Sequence, residues 1–538
     1  MSRPDDPVRA PAIGAGSPWA PLRHREFRLL WSTTLAALIG STISDSTAAW
    51  LMTTLASSPV QVALVQAAMM MPVLLLGLPA GALADMVDRR SVLVGTQVWV
   101  ALVALALFAA TLAGKLTAEL LLVLTFANGV GIAMRMPVNA ALAPELVPRP
   151  ELGRAVGLIG VAMNGSRIVG PMLAGLMLGW FGGAWVFLAY AAISVAVVVP
   201  LARWKRPARA SLLPVERFVG AMRLGAKFAL QTPLMIAVLV RSATYCFFGI
   251  SILALLPLIA RDRLAGGAGT YALLLSSVGL GAITAMVIML PVRRLLTRDQ
   301  FVAGGTVLHA GAILVLAYST SLGPAAAAAF VGGGAWMAVL NALTVAAQSS
   351  LPDWVRARGM ALFQAMAMAG ATLGSVVWGQ MVAMSSIPTS LLVAGLGALA
   401  ALALVARLRV GTTRELDLTP AQVAAEFATE LPVEHEQGPV LVTVEYLIEP
   451  SRAEEFTEVM GESRRFRLSM GATTWGLFRD ASDPRRFVEH FVVKTWVDRL
   501  RQIERLTADD VALWDRKNAF HTGPKPVVMS HYVKEPVE

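Results

Sequence analysis

Very long stretches of this chain carry almost no charge. From Leu29 to Ala84 the only charged side chain is Asp45, from Ala155 to Ala202 it is Arg167, and from Phe228 to Ala260 it is Arg241. Between Phe301 and Pro352 only His309 titrates near neutrality, and between Gly359 and Ala406 nothing does. A helix that crosses a bilayer takes roughly 20 predominantly apolar residues, so each stretch holds one or two crossings. A soluble protein does not bury this many such helices, and a composition 56% hydrophobic and 15% charged excludes that class as well.

Twelve spans are expected near 29–54, 60–84, 91–113, 119–143, 154–178, 181–202, 234–260, 267–292, 299–319, 323–347, 358–384 and 387–407. Lysine and arginine concentrate in alternate connections. One set holds Arg89, Arg90, Arg149, Arg154, Arg293, Arg294, Arg298, Arg356 and Arg358, and a long middle connection adds seven more basic residues between Arg203 and Lys227. The opposite set holds only Lys115, Arg261 and Arg263. The basic set therefore reads as cytoplasmic, with both termini inside a bacterial inner membrane. No cleavable signal peptide is read, because the basic cluster Arg23, Arg25 and Arg28 leads into a full-length span. Stretch 211–231 alternates apolar and basic residues at helical spacing and reads as a helix on the membrane surface. The net charge of +10 lies mostly in these loops, so nucleic acid is not expected as a partner. The one cysteine, Cys246, excludes an intrachain disulfide framework.

Sliding the chain on itself by 204 residues superposes its punctuation. Gly77 falls on Gly281, Arg89 and Arg90 on Arg293 and Arg294, and Gly129 on Gly333. Pro148 falls on Pro352, Arg154 on Arg358 and Gly170 on Gly374. Two six-helix halves in the same orientation are a repeat pattern of secondary transporters, with the substrate site between them near the midplane.

The turn after the second span runs Gly81-Ala-Leu-Ala-Asp85-Met-Val-Asp88-Arg89-Arg90. It resembles the signature of the major facilitator superfamily, which implies a conformational latch formed by Gly81, Asp85, Arg89 and Arg90 between the halves. The second-half copy keeps Gly281, Arg293 and Arg294 without an aspartate, so such a latch is asymmetric. In the fifth span Asn164-Gly-Ser-Arg167-Ile-Val-Gly170-Pro171-Met-Leu-Ala-Gly175 resembles the antiporter motif of that superfamily, which implies export. Asn164, Gly170, Pro171 and Gly175 form the helix-kink motif: proline bends the helix and small residues admit a close neighbour. Phe27-Arg28-Leu-Leu-Trp31, Ser58-Pro59, Pro144-Glu-Leu-Val147 and Pro352-Asp353-Trp354-Val355-Arg356 extend the likeness, over 22–408, to the transmembrane secretion effectors, the branch that includes siderophore exporters.

A charge at membrane depth costs about 2.5–3.5 kcal/mol on insertion scales, so each is a functional candidate. At ~1.5 Å per residue Asp45 lies ~24 Å up the first helix, Arg167 ~20 Å up the fifth and Arg135 ~12 Å from the inner face. Depth favours an Asp45–Arg167 pair. Asp45 is read as the protonation site of antiport or as a structural polar group, and Arg135 as a cargo-attracting cation or a ligand of backbone carbonyls. Arg241, near the inner end of its span, reads as snorkelling, and His309 as packed. Asn128, Asn139 and Asn341 are uncharged polar groups within spans.

Past Arg409 the character becomes soluble. After a linker with a short helix around 419–429, the pattern gives strand Val440–Ile448, helix Ser451–Met470, strands Ala472–Phe478 and Arg486–Lys494, a helical region Trp496–Phe520 and strand Pro526–Val533. This β-α-β-β-α-β order is ferredoxin-like and resembles the antibiotic-biosynthesis-monooxygenase type of dimeric α+β barrel. That resemblance implies either a homodimer or ligand-sensing module, or an enzyme using some of Trp475, His490, Trp496, Trp514 and His521. No nucleophile constellation, metal-ligand spacing or cofactor motif is read, so no catalytic residue, metal or cofactor is assigned. The expected organisation is a tail 1–28, a six-helix half 29–202, a loop 203–233, a second half 234–408, a linker 409–438 and a ferredoxin-like domain 439–535. The expected activity is proton-coupled export of a small cargo from the bilayer-embedded chain. The alternatives are a membrane-anchored monooxygenase-like enzyme or sensor, and uptake or lipid translocation by the same fold.

Overall fold

The computed structural model describes residues 17, 19–148, 151–204, 230–411, 433–434 and 436–535. Most of the expected surface helix at 211–231, the linker helix at 419–429 and most of the N-terminal tail lie outside those residues. The described residues separate into two compact units. One is drawn from Met1–Leu212, Leu239–Thr344 and Phe363–Arg409, the other from Leu213–Val238, Val345–Leu362 and Val410–Glu538.

The apolar stretches form helices α1 (Arg25–Leu55), α2 (Pro59–Met86), α3 (Arg89–Leu112), α4 (Ala118–Leu146), α5 (Leu152–Phe181) and α6 (Gly183–Arg203). After the middle connection come α7 (Pro233–Arg263), α8 (Ala268–Leu295), α9 (Arg298–Tyr318), α10 (Leu322–Ser349), α11 (Asp353–Met384) and α12 (Ile387–Val405). α7 is broken at Ile250 and ends in a π-helical turn, Ile259–Arg263. Short polar caps start several helices: Asp88 accepts from Ser91 N at 3.0 Å, Thr117 from Leu120 N at 3.2 Å, and Thr297 forms a capping box with Gln300.

Among the described residues eleven helices are long and apolar enough to cross a membrane. The expected twelfth, α1, has 31 residues and so ~46 Å of length, but it is rich in serine and threonine. Its hydroxyls satisfy themselves. Thr33, Thr42, Ser46 and Thr47 each donate to the carbonyl four residues back, at 2.7–2.9 Å.

The 204-residue repeat is a repeat of packing. In the first half α1 packs on α5 and α6, α2 on α4, and α3 on α6. In the second, Gly370 and Gly374 of α11 lie against Ala243 and Phe247 of α7, Gly333 of α10 against Val278 of α8, and Gly395 of α12 against Leu314 of α9. Gly170 meets Thr42 and Ile43 on α1, and its counterpart Gly374 meets Phe247, the counterpart of Ile43. A side chain at either glycine would overlap its neighbour.

In the second unit, β1 (Val440–Leu447), β2 (Thr474–Arg479), β3 (Arg486–Val493) and β4 (Val528–Val533) form one antiparallel sheet in the order β2-β3-β1-β4. α13 (Ala453–Ser469), α14 (Trp496–Glu504) and α15 (Ala508–Asn518) complete the ferredoxin-like arrangement. The expected Trp496–Phe520 region is two helices, because Thr507 caps a new one through a capping box with Asp510. Val440, Val442, Val444 and Tyr446 of β1 face the core, opposite Phe487, Glu489, Phe491 and Val493 of β3.

Candidate functional site

Ser41 and Asp45 stand one turn apart on α1. Asp45 is half-buried; it accepts from Ser41 Oγ at 3.2 Å and from Asn128 Nδ2 of α4 at 3.4 Å. Tyr190 of α6, buried, donates its hydroxyl to Asn128 Oδ1 at 2.8 Å. Beside this chain of bonds Arg135 of α4 donates to Gln97 Oε1 of α3 at 2.7 Å. Ser41, Thr96, Gln97, Arg135 and Tyr190 line a cavity of ≈ 10 Å³ between the two groups, the size of one water. A carboxylate between helices is thus held by neutral donors.

The structure does not bring Asp45 and Arg167 together. Arg167 is exposed on α5, and among the described residues no basic group lies within ion-pair distance of Asp45. Depth put the two at one level, but helix rotation decides. α5 packs on the Thr42–Ile43 side of α1, while Ser41 and Asp45 look toward α4. Gln97 and Tyr190 escaped the sequence reading; the signal was a large hydrogen-bonding side chain within each of two apolar spans. Arg241 is also corrected. It is buried rather than snorkelling, paired with Asp299 of α9 at 3.0 Å and reaching Val405 O of α12 at 3.4 Å.

The kink segment joins the halves. Pro171 has no N–H to give the carbonyl of Arg167, and Gly279 of α8 lies directly against that carbonyl. Ser276 of α8 donates to Ile168 O at 3.4 Å, Thr42 to Ser166 O at 3.0 Å, and Asn164 lies 3.6 Å from Met286 Sδ. Gly175 sits on Ala272. Further toward the end opposite the termini, Trp50 of α1 stacks on Tyr271 of α8 at 6.0 Å and 21°. There Arg261 of α7 donates to Thr53 O of α1, and Gly379 of α11 rests on Ala63 of α2. The described contacts between the halves run from mid-span to this end. Within the bundle these contacts hold the halves together at the end away from Arg25 and Val405.

Of the latch residues, Gly81 and Asp85 are helical in the last turns of α2, and the Asp85 side chain lies outside the described set. Arg90 donates to the carbonyls of Leu201, at 3.3 Å, and Ala202, tying α3 to the C-terminus of α6 within one half. In the second half Arg293 donates to Asn341 Oδ1 at 3.3 Å.

The five tail candidates are not brought together. Trp475 Nε1 donates to Glu489 at 2.9 Å, His521 accepts from Leu447 N at 2.9 Å, and Trp496 packs edge-on to His531. His490 lies on the outer sheet face against Phe478, and Trp514 sits by Arg467. What the core holds is an ionic cluster. Buried Glu489 accepts from Ser463 at 2.7 Å and Lys517 at 3.2 Å and pairs with Arg467 at 3.6 Å. Burial alone would push the Glu489 carboxyl up; the Arg467 and Lys517 cations and the Trp475 and Ser463 bonds outweigh it and hold it down at about 2. Burial pushes Lys517 down to about 8.

Relatives share this membrane architecture. The chain is 24% identical over 247 residues to macrolide efflux protein A of Streptococcus pyogenes, covering 45% of this chain and 60% of that one. It is 24% identical over 269 residues to the staphyloferrin A transporter of Staphylococcus aureus, covering 49% and 66%. Each match spans less than two thirds of the relative. A bacterial homologue of the human lysosomal transporter Spinster, solved inward-facing and unoccupied, superposes with a TM-score of 0.56 at 14% identity over 72% of this chain and 98% of that one, a likeness of fold. The matched relatives are named as transport proteins. Residues 16–537 match the family described as transmembrane secretion effector, and with a match of that extent the chain belongs to that family.

Proposed function

We propose that the chain is a proton-coupled exporter of a small molecule, working by alternating access between its two six-helix halves, with both termini on the cytoplasmic side of a bacterial inner membrane. The observation that carries the reading is Asp45, an acid at membrane depth held by the neutral donors Ser41 and Asn128 and beside a water-sized cavity. A carboxylate with no cation bonded to it can release and regain a proton without breaking an ion pair. Exposed Arg167 supplies positive charge toward a cargo, and macrolides and staphyloferrin-like molecules are the classes the relatives suggest. Contact between the halves at the end away from the termini fits a cytoplasm-open state. The test is erythromycin accumulation in inside-out vesicles, driven by a proton gradient and collapsed by a protonophore. Asp45→Asn should lower it at least tenfold. Accumulation equal to wild type in that variant refutes the coupling role.

A second reading concerns assembly. The outer sheet face carries Leu441, Val488 and Val492 with Phe478, Val528 and Tyr532, the last three 55–60% exposed. We propose that this face pairs with a second copy of the chain. Phe478→Asp with Tyr532→Asp should convert a dimer to a monomer in detergent light scattering; a monomeric wild type removes the reading.

A further inference from the structure

His309 sits in the membrane half of the chain with both ring nitrogens against carbonyl oxygens. Nε2 lies 3.2 Å from Gly249 O at the break in α7, and Nδ1 lies 3.0 Å from Gly332 O of α10. A neutral imidazole has one N–H, so it can satisfy one of these carbonyls. The hydroxyl of Tyr245, 3.2 Å from Nδ1, supplies the other arrangement: it donates to Nδ1 while Nε2–H donates to Gly249 O. When the ring gains a proton, both nitrogens donate, to Gly249 and Gly332 at once, and the Tyr245 hydroxyl turns away. The surroundings are therefore built for two protonation states of one ring. Glycine at 249 lets the ring reach the main chain of α7, since a side chain there would meet both His309 and Trp336.

The repeat gives this site its meaning. Tyr245 stands 204 residues after Ser41, so the same position of each half presents a hydroxyl to a protonatable group, Asp45 in the first and His309 in the second. We propose that His309 is a proton-binding site of the second half, paired by the repeat with Asp45. Its occupancy sets whether α9 bonds one or both of α7 and α10. The added charge is met by carbonyl oxygens on two sides, and the titratable and charged groups nearby are few. α7 presents Tyr245 and Arg241, with the buried Cys246 thiol beside Tyr245. Arg241 lines the same cavity but is paired with Asp299 at 3.0 Å. α10 presents the Trp336 ring, 5.9 Å from the imidazole, and α12 presents Ala398, Leu402 and Val405. A role for this proton in transport rests on the proton-coupled reading above; the site itself does not.

Trp336 reports on the site without any cargo, because an imidazolium quenches a neighbouring indole. The emission of the full-length protein in detergent, less that of Trp336→Phe, is titrated from pH 8 to pH 4. A quenching step is expected that His309→Gln removes, that Asp45→Asn keeps, and that Tyr245→Phe moves to higher pH by removing the donor to the neutral ring. The absence of a step, or a step that survives in His309→Gln, overturns the site. In the vesicle assay with erythromycin, His309→Gln should lower proton-driven accumulation at least tenfold while protonophore-insensitive exchange persists. If Asp45→Asn abolishes driven accumulation and His309→Gln leaves it unchanged, the coupling role of His309 falls alone; if both leave it unchanged, the proton-coupled reading falls.

Discussion

Glu489→Gln tests whether the interior of the tail is a stability core. The substitution keeps the side chain's shape and removes its charge, leaving Arg467 and Lys517 buried beside each other without an anion. A carboxyl held at about 2 against an ordinary 4.5 is worth about 3 kcal/mol at 1.36 kcal/mol per pKa unit. Removing one partner of a buried pair costs about 3–5 kcal/mol by mutation, so the two routes agree. In the full chain this is readable by hydrogen exchange of β1 and β3 amides, whose protection follows the opening free energy. Their exchange should rise on the order of a hundredfold at neutral pH. Pairing the change with Lys517→Met should recover part of the loss, since one stranded charge is then gone. Because the carboxyl is depressed in the fold, its contribution is complete above about 4.5 and is lost as pH falls toward about 2. Exchange in Glu489→Gln within threefold of wild type refutes the reasoning.

Other outcomes follow from the contacts between helices. Cysteines at Ala63 and Gly379, in a Cys246→Ala background, should cross-link under mild oxidation and stop erythromycin transport until reduced; transport that continues while cross-linked means that this end does not open. Leucine at Gly170 should overlap Thr42 and leucine at Gly374 should overlap Phe247, each lowering folded yield in detergent several-fold, and a wild-type yield from either contradicts the packing repeat. Asp88→Ala removes the cap of α3 and should cost about 1 kcal/mol of local stability, read as faster amide exchange at the start of that helix.

Much of the architecture is legible in the residues because the bilayer and the repeat leave few choices. Charge-free runs mark the helices, basic residues and glycines punctuate them, and a constant offset pairs Gly170 with Gly374. The tail's element order is equally plain, since period-two and helical patterns alternate cleanly. Rotation about a helix axis is not written in depth along it, so the partner of Asp45 is Asn128 and not Arg167. Gln97 and Tyr190 carry no motif and gain meaning only when α3 and α6 meet α4. The fate of Arg241 depends on Asp299, which reads as an ordinary helix-start acid until α7 and α9 are seen side by side.

The polar character of α1 bears on how the protein is made. Among the described residues α1 is too hydroxylated to meet the hydropathy that the other eleven satisfy, and when it is made it carries Asp45 without its later partners. Self-bonded hydroxyls lower the toll of entering lipid, but the carboxylate must wait for Asn128 and, behind it, Tyr190. Secure insertion of α1 therefore waits on helices made after it, and is completed when α4 and α6 arrive and close around it.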